Sequence, residues 1–66
     1  MEITINGKPH HSTATLSLAQ AVAMLTDADT GVAAAVNGDV IRRAAWEAMQ
    51  LSDGDEVEVL TAVQGG

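Results

Sequence analysis

Two Asn-Gly pairs constrain this chain more than anything else in it. Asn6-Gly7 and Asn37-Gly38 each follow an apolar run and precede another. That is the strongest short-range signal of a two-residue hairpin, because Asn and Gly tolerate the positive φ such turns demand. The first pair ends Glu2-Ile3-Thr4-Ile5, whose alternation places Met1, Ile3 and Ile5 on one face. A return strand is expected over roughly Lys8 to Thr13, and Pro9, which cannot donate to a ladder, puts it at an edge. The second pair joins Val32-Ala33-Ala34-Ala35-Val36 to a strand beginning at Val40-Ile41. Alanine is a weak strand former, so that assignment rests on length and on the turn.

Between the hairpins, Ser17-Leu18-Ala19-Gln20 matches a capping box, a hydroxyl followed three residues later by an amide. Leu18, Ala21, Val22 and Leu25 recur at helical spacing, so one stripe is expected to face a sheet. Asp27-Ala28-Asp29-Thr30-Gly31 reads as a polar helix exit; a calcium loop would need further oxygen ligands and a terminal Glu. After the second hairpin, Ala44–Met49 suits one or two turns of helix, and Asp53-Gly54-Asp55 a tight turn. The last strand starts at Glu56, with Val57, Val59 and Thr61 on one face and Glu58, Leu60 and Ala62 on the other. The order β-β-α-β-β, a short helical piece and a final β lets the last strand lie centrally beside the first. The expectation is an α+β fold of the β-grasp, ubiquitin-like type: a mixed sheet on one main helix, spanning residues 1–62, with a flexible tail over 63–66.

A chain of 66 residues buries only about 60% of its unfolded surface, so the core is small. Trp46 is the only aromatic residue, which leaves Val, Ile, Leu, Ala and Met to build it. The absence of cysteine removes disulfides, thiolate metal sites and thiol nucleophiles together. His10 and His11 are strand neighbours that point to opposite faces, so they do not converge on one ion and no metal site is expected. Nine acidic residues against three basic ones give a formal charge of −6. Such a balance repels a phosphate backbone and suits a partner with a basic face. Met1-Glu2-Ile3-Thr4 lacks the basic and apolar regions of a signal peptide. The longest apolar runs, Ala21–Leu25 and Val32–Val36, fall far short of a membrane span. A cytoplasmic protein, monomeric when free, is expected. With no nucleophile–base set and no glycine-rich phosphate loop, the chain does not read as an enzyme.

The last strand runs directly into Val63-Gln64-Gly65-Gly66. Glycine is the residue hardest to hold still, and the only one with no side chain to obstruct a narrow channel. Fully extended, four residues reach about 13–14 Å, far enough to carry a carboxylate into another protein. The plain alternative is a frayed tail.

Taken together, these pieces resemble the sulfur carrier proteins of thiamine biosynthesis, a ThiS-like family of ubiquitin fold. The matching stretches are Ile3-Thr4-Ile5-Asn6-Gly7, Ser17-Leu18-Ala19-Gln20 and Ala35-Val36-Asn37-Gly38-Asp39-Val40, which is similar to a Val-Asn-Gly-Glu hairpin. Arg43 and Trp46 resemble an Arg-x-x-Trp spacing, and Leu51 through Gly66 the family's most recognisable block. Arg42 stands where the family usually has proline. The resemblance implies a substrate and carrier rather than a catalyst. A ThiF-like partner would adenylate the Gly66 carboxylate using ATP and Mg²⁺, with no cofactor bound to the carrier itself. The product would become a thiocarboxylate, its sulfur drawn from cysteine through a desulfurase and delivered to thiazole synthase.

The residues suit that chemistry. A terminal carboxylate is ionised at neutral pH and a poor electrophile; joined to AMP it becomes a mixed anhydride that a sulfur nucleophile displaces. Gly66 presents no Cβ at the carbonyl, Gly65 lets the chain bend inside the partner, and Gln64 offers a hydrogen-bonding handle. Leu60, Ala62, Glu58 and Arg43 are the candidate docking residues. Rival readings are the small subunit of molybdopterin synthase, a ubiquitin-like protein modifier, and a plain binding module.

Overall fold

The computed structural model describes residues 1–28 and 30–61. Five strands, β1 (Glu2–Ile5), β2 (Lys8–His11), β3 (Val32–Val36), β4 (Asp39–Ile41) and β5 (Glu56–Thr61), form one sheet in the order β2-β1-β5-β3-β4. The central pair β1–β5 is parallel; the other three pairings are antiparallel. One helix, α1 (Leu18–Ala23), lies on one face. This is the β-grasp arrangement. No helix among the described residues is long and apolar enough to cross a membrane.

Both hairpins form as the Asn-Gly pairs dictate. Asn6 and Gly7 take φ of 53° and 81°, Asn37 and Gly38 of 51° and 87°, two positive values in succession as a type I′ turn requires. The return strand stops at His11 rather than Thr13. Ser12 N–H still donates to Met1 O at 2.9 Å, but its hydroxyl donates to Ala14 O at 2.8 Å and accepts from Ala14 N–H at 3.1 Å, and this local turn takes the chain off the sheet. β2, carrying Pro9, is an edge strand. Its register sets His10 opposite Ile3 and His11 opposite Glu2, so adjacent imidazoles stand on opposite faces.

The capping box at α1 is complete. Ser17 Oγ accepts from Gln20 N–H at 3.1 Å, and Gln20 Oε1 accepts from Ser17 N–H at 2.8 Å. Leu18, Ala21 and Val22 are buried, but Leu25 does not join them. The helix closes at Met24, and Leu25 N–H turns to the carbonyl of Val22. That tighter turn leaves Leu25 49% exposed.

Residues 44–49 likewise depart from a regular helix. A 3₁₀ turn covers Arg43–Ala45, with no side-chain cap at Arg42. The reason lies in α1, whose first N–H groups need acceptors. Leu18 N–H takes the carbonyl of Met49 at 2.8 Å and Ala19 N–H that of Trp46 at 3.1 Å. Carbonyls turned sideways to cap α1 cannot continue a helix of their own.

The core gathers Ile3 and Ile5 from β1, Leu18, Ala21 and Val22 from α1, Ala34 and Val36 from β3, Val57 and Val59 from β5, and Trp46 and Leu51. Trp46 closes its edge and donates Nε1–H to Ile41 O at 2.7 Å, which satisfies its one polar atom. Thr61 shares the face of Val57 and Val59 but is exposed, because it sits at the strand's end opposite half-buried Val32.

Candidate functional site

The candidate site is the end of β5 together with the tail it leads into. β5 occupies the centre of the sheet, hydrogen-bonded on both sides. Two further grips come from the hairpin asparagines. Asn6 turns its carboxamide onto the peptide groups of Val59: Nδ2–H donates to Val59 O at 3.1 Å and Oδ1 accepts from Val59 N–H at 2.8 Å. Its own backbone N–H donates to Val57 O at 2.9 Å. The side chain thus adds one rung to the parallel β1–β5 ladder where β1 itself has turned away.

Asn37 does the same at the start of the strand. Its Oδ1 accepts from Glu56 N–H at 3.0 Å, its Nδ2–H donates to Asp55 Oδ1 at 3.0 Å, and its backbone N–H donates to Glu56 O at 2.8 Å. Asp55 Oδ2 accepts from Ser52 N–H at 2.8 Å, and Asp53 Oδ1 from Glu2 N–H at 2.6 Å. These two aspartates therefore pin the turn that feeds β5, which is more than a solvated edge does. The sequence names both asparagines as turn residues only. Their grip on β5 links positions 53 and 19 residues apart, and no local signal carries that.

Alternation along β5 sends Val57 and Val59 inward and Glu58 and Leu60 outward. Leu60 is 70% exposed, so it is a surface residue and not a half-buried strand residue. Its neighbour across the ladder is Ala33; Glu58 sits opposite Ala35, and Ala35 opposite Val40. Val40 is 79% exposed. Together they line a shallow groove of about 110 Å³ on the sheet face away from α1, with Ala33, Ala35 and Gly38 as its floor. Val40 is the member the sequence reading missed, although alternation with half-buried Ile41 would have placed it outside.

Arg43 is not part of that groove. It belongs to the 3₁₀ turn, its guanidinium 5.2 Å from the centroid of the Trp46 ring. There it lines a second groove of about 220 Å³ beside Ala19, Val22 and Thr26 of the helix side. Glu58 and Leu60 are thus brought together, while Arg43 faces a different surface. Ala62, Gln64, Gly65 and Gly66, and with them the expected flexible tail over 63–66, lie outside the described residues.

The model of the ThiS family matches residues 3–66. The chain belongs to the ThiS family, the sulfur carriers of thiamine biosynthesis. Solved ThiS-like structures agree. The crystal structure of a thiamine biosynthesis protein (ThiS) from Geobacter metallireducens shares 35% identity over 100% of both chains, with a TM-score of 0.78. A solution structure of a thiamine biosynthesis protein from the same organism, also 35% identical, covers 100% of this chain and 88% of its own, with a TM-score of 0.81. No curated protein matches the chain.

Proposed function

We propose that this ThiS-family chain carries sulfur on the carboxylate of Gly66. The observation that supports the reading most is that the family match runs through Gly65 and Gly66. A ThiF-like enzyme using ATP and Mg²⁺ adenylates that carboxylate, and pyrophosphate leaves. Sulfur drawn from cysteine through a desulfurase displaces AMP, leaving a thiocarboxylate that thiazole synthase consumes.

The chain's own contribution is presentation. β5 is held on both sides and gripped by Asn6 and Asn37, so the tail starts from a fixed point and direction. Leu60, with Val40 and the alanine floor between them, gives the partner an apolar surface beside that point, and Glu58 a charge at its margin. Gly65 and Gly66 leave the terminal carbonyl unobstructed to AMP and then to sulfur, and Gln64 supplies amide donors and an acceptor to the channel wall.

ATP–pyrophosphate exchange tests the first step. With the adenylating enzyme present, exchange is expected to depend on added chain and to vanish when Gly66 is deleted or Gly65 is changed to Val. Exchange that persists with Gly66 deleted would refute the role given to the terminus. A covalent adduct on a lysine of another protein, formed in place of a thiocarboxylate, would mark a modifier instead.

A further inference from the structure

Both asparagines of the chain, Asn6 and Asn37, are followed by glycine. An Asn-Gly step is well suited to spontaneous deamidation, because glycine has no side chain to shield its nitrogen from the neighbouring carboxamide. The glycine nitrogen, giving its proton to water, attacks Cγ; the Cγ–Nδ2 bond breaks and ammonia leaves. Water then opens the succinimide ring. Opening at Cγ gives aspartate, and opening at the main-chain carbonyl gives isoaspartate, with the backbone rerouted through Cβ and Cγ. The net change is amide plus water to acid plus ammonia, with no oxidant, reductant or enzyme required.

Both turns are open to solvent. A Cβ built on Gly7 or Gly38 would meet nothing within 4 Å, so water reaches each glycine. What holds the reaction back is the carboxamide. To reach the glycine nitrogen, Cγ must swing off β5, and each asparagine then surrenders two side-chain hydrogen bonds.

The two grips differ in what can replace them. Asn6 holds the N–H and C=O of Val59, a core residue 4% exposed, through part-buried bonds. Water takes its place only when the strand opens, and a buried donor left unpaired is the most unfavourable case. Asn37 holds an exposed pair, the carboxylate of Asp55 and the N–H of Glu56, each at 3.0 Å. Solvent satisfies both once the carboxamide lifts. Exposed hydrogen bonds open locally, whereas those on a buried strand open with the fold.

We propose that Asn37 is a deamidation site of the folded protein, and that Asn6, with the same following residue, is guarded by its grip on Val59. This modification is independent of the carrier reading of Gly66. Its consequence is electrostatic. The amide that leaves is the one that donates to Asp55 Oδ1. The product therefore sets carboxylate against carboxylate at that contact, and adds a negative charge to a chain already at −6. Asp55 also accepts from Ser52 N–H, so repulsion there loosens the turn that feeds β5. The modified chain is expected to unfold about 4–8 °C lower, the effect of losing one such interaction.

Peptide mapping by mass spectrometry, with fragmentation that assigns each asparagine, tests this on the full chain aged in warm, mildly alkaline buffer. A parallel sample in guanidinium chloride beyond the unfolding midpoint gives the unguarded rates, expected to agree within about 2-fold between the two sites. In the folded chain Asn37 is expected to convert about 10-fold more slowly than in denaturant, the effect of two net hydrogen bonds. Asn6 is expected to be slower again by at least about 10-fold. Denaturant below the midpoint separates the two routes: Asn6 conversion should climb with the unfolded fraction while Asn37 conversion changes little. Asn37→Asp makes the aspartate product directly, and its drop in Tm should shrink when Asp55→Asn removes the facing charge. Three results would overturn the assignment: Asn6 converting first, both sites matching their rates in denaturant, or Asn37 intact in the folded chain after the denatured sample has converted completely. An unchanged Tm in Asn37→Asp would overturn the consequence drawn from it.

Discussion

Replacing Asn6 by glycine separates two reasons for having asparagine there. One is the turn, which needs φ of 53° at this position; the other is the carboxamide's grip on Val59. Glycine satisfies the turn at least as well as asparagine. It abolishes the grip, and so removes two hydrogen bonds worth about 0.5–1.5 kcal/mol each net. It also adds about 0.5–1 kcal/mol of unfolded-chain freedom. The expected loss is about 1.5–4 kcal/mol, a large share of the roughly 3–10 kcal/mol that holds a domain of this size. At about 4–8 °C per kcal/mol, a mid-range loss lowers Tm by about 10–20 °C. Urea unfolding followed by Trp46 fluorescence measures it directly. Alanine at the same site should cost at least as much, since it loses the grip and strains the turn. A glycine variant within about 0.5 kcal/mol of the parent would show that only the turn matters and refute the clamp.

Other variants probe the remaining parts. Ser17→Ala removes the hydroxyl that caps α1 at 3.1 Å and should cost about 1 kcal/mol in a urea titration. Trp46→Phe loses the 2.7 Å bond to Ile41 O and leaves that carbonyl wanting a donor; a loss of about 1–3 kcal/mol is expected by far-UV dichroism. Leu60→Asp, at a site 70% exposed, should leave stability within about 0.5 kcal/mol. The same variant should weaken calorimetric affinity for the adenylating enzyme at least about 5-fold, the range of a single interface residue above about 1 kcal/mol.

Where a short window of sequence carries its own physics, the fold was legible. Asn-Gly pairs encode type I′ turns, Ser17 and Gln20 encode a capping box, and alternation in Glu56–Thr61 encodes one buried and one exposed face. Each needs only neighbours within a few residues. What escaped depends on distant partners. Leu25 fits the helical stripe but falls beyond the point where the chain turns off the sheet. Residues 44–49 favour a helix locally, yet their carbonyls are taken by the N–H groups of Leu18 and Ala19. The grips of Asn6 and Asn37 on β5 join segments far apart in the chain. For the site, Leu60 and Glu58 followed from alternation, as Val40 should have.

The central claim, that Gly66 carries sulfur, is tested most directly by intact-protein mass. The chain is incubated with the adenylating enzyme, ATP-Mg²⁺, cysteine and a desulfurase, beside a chain lacking Gly66. A gain equal to one oxygen replaced by sulfur, absent without Gly66, is the predicted result. An unchanged mass in an enzyme mixture shown to be active on another carrier would contradict it.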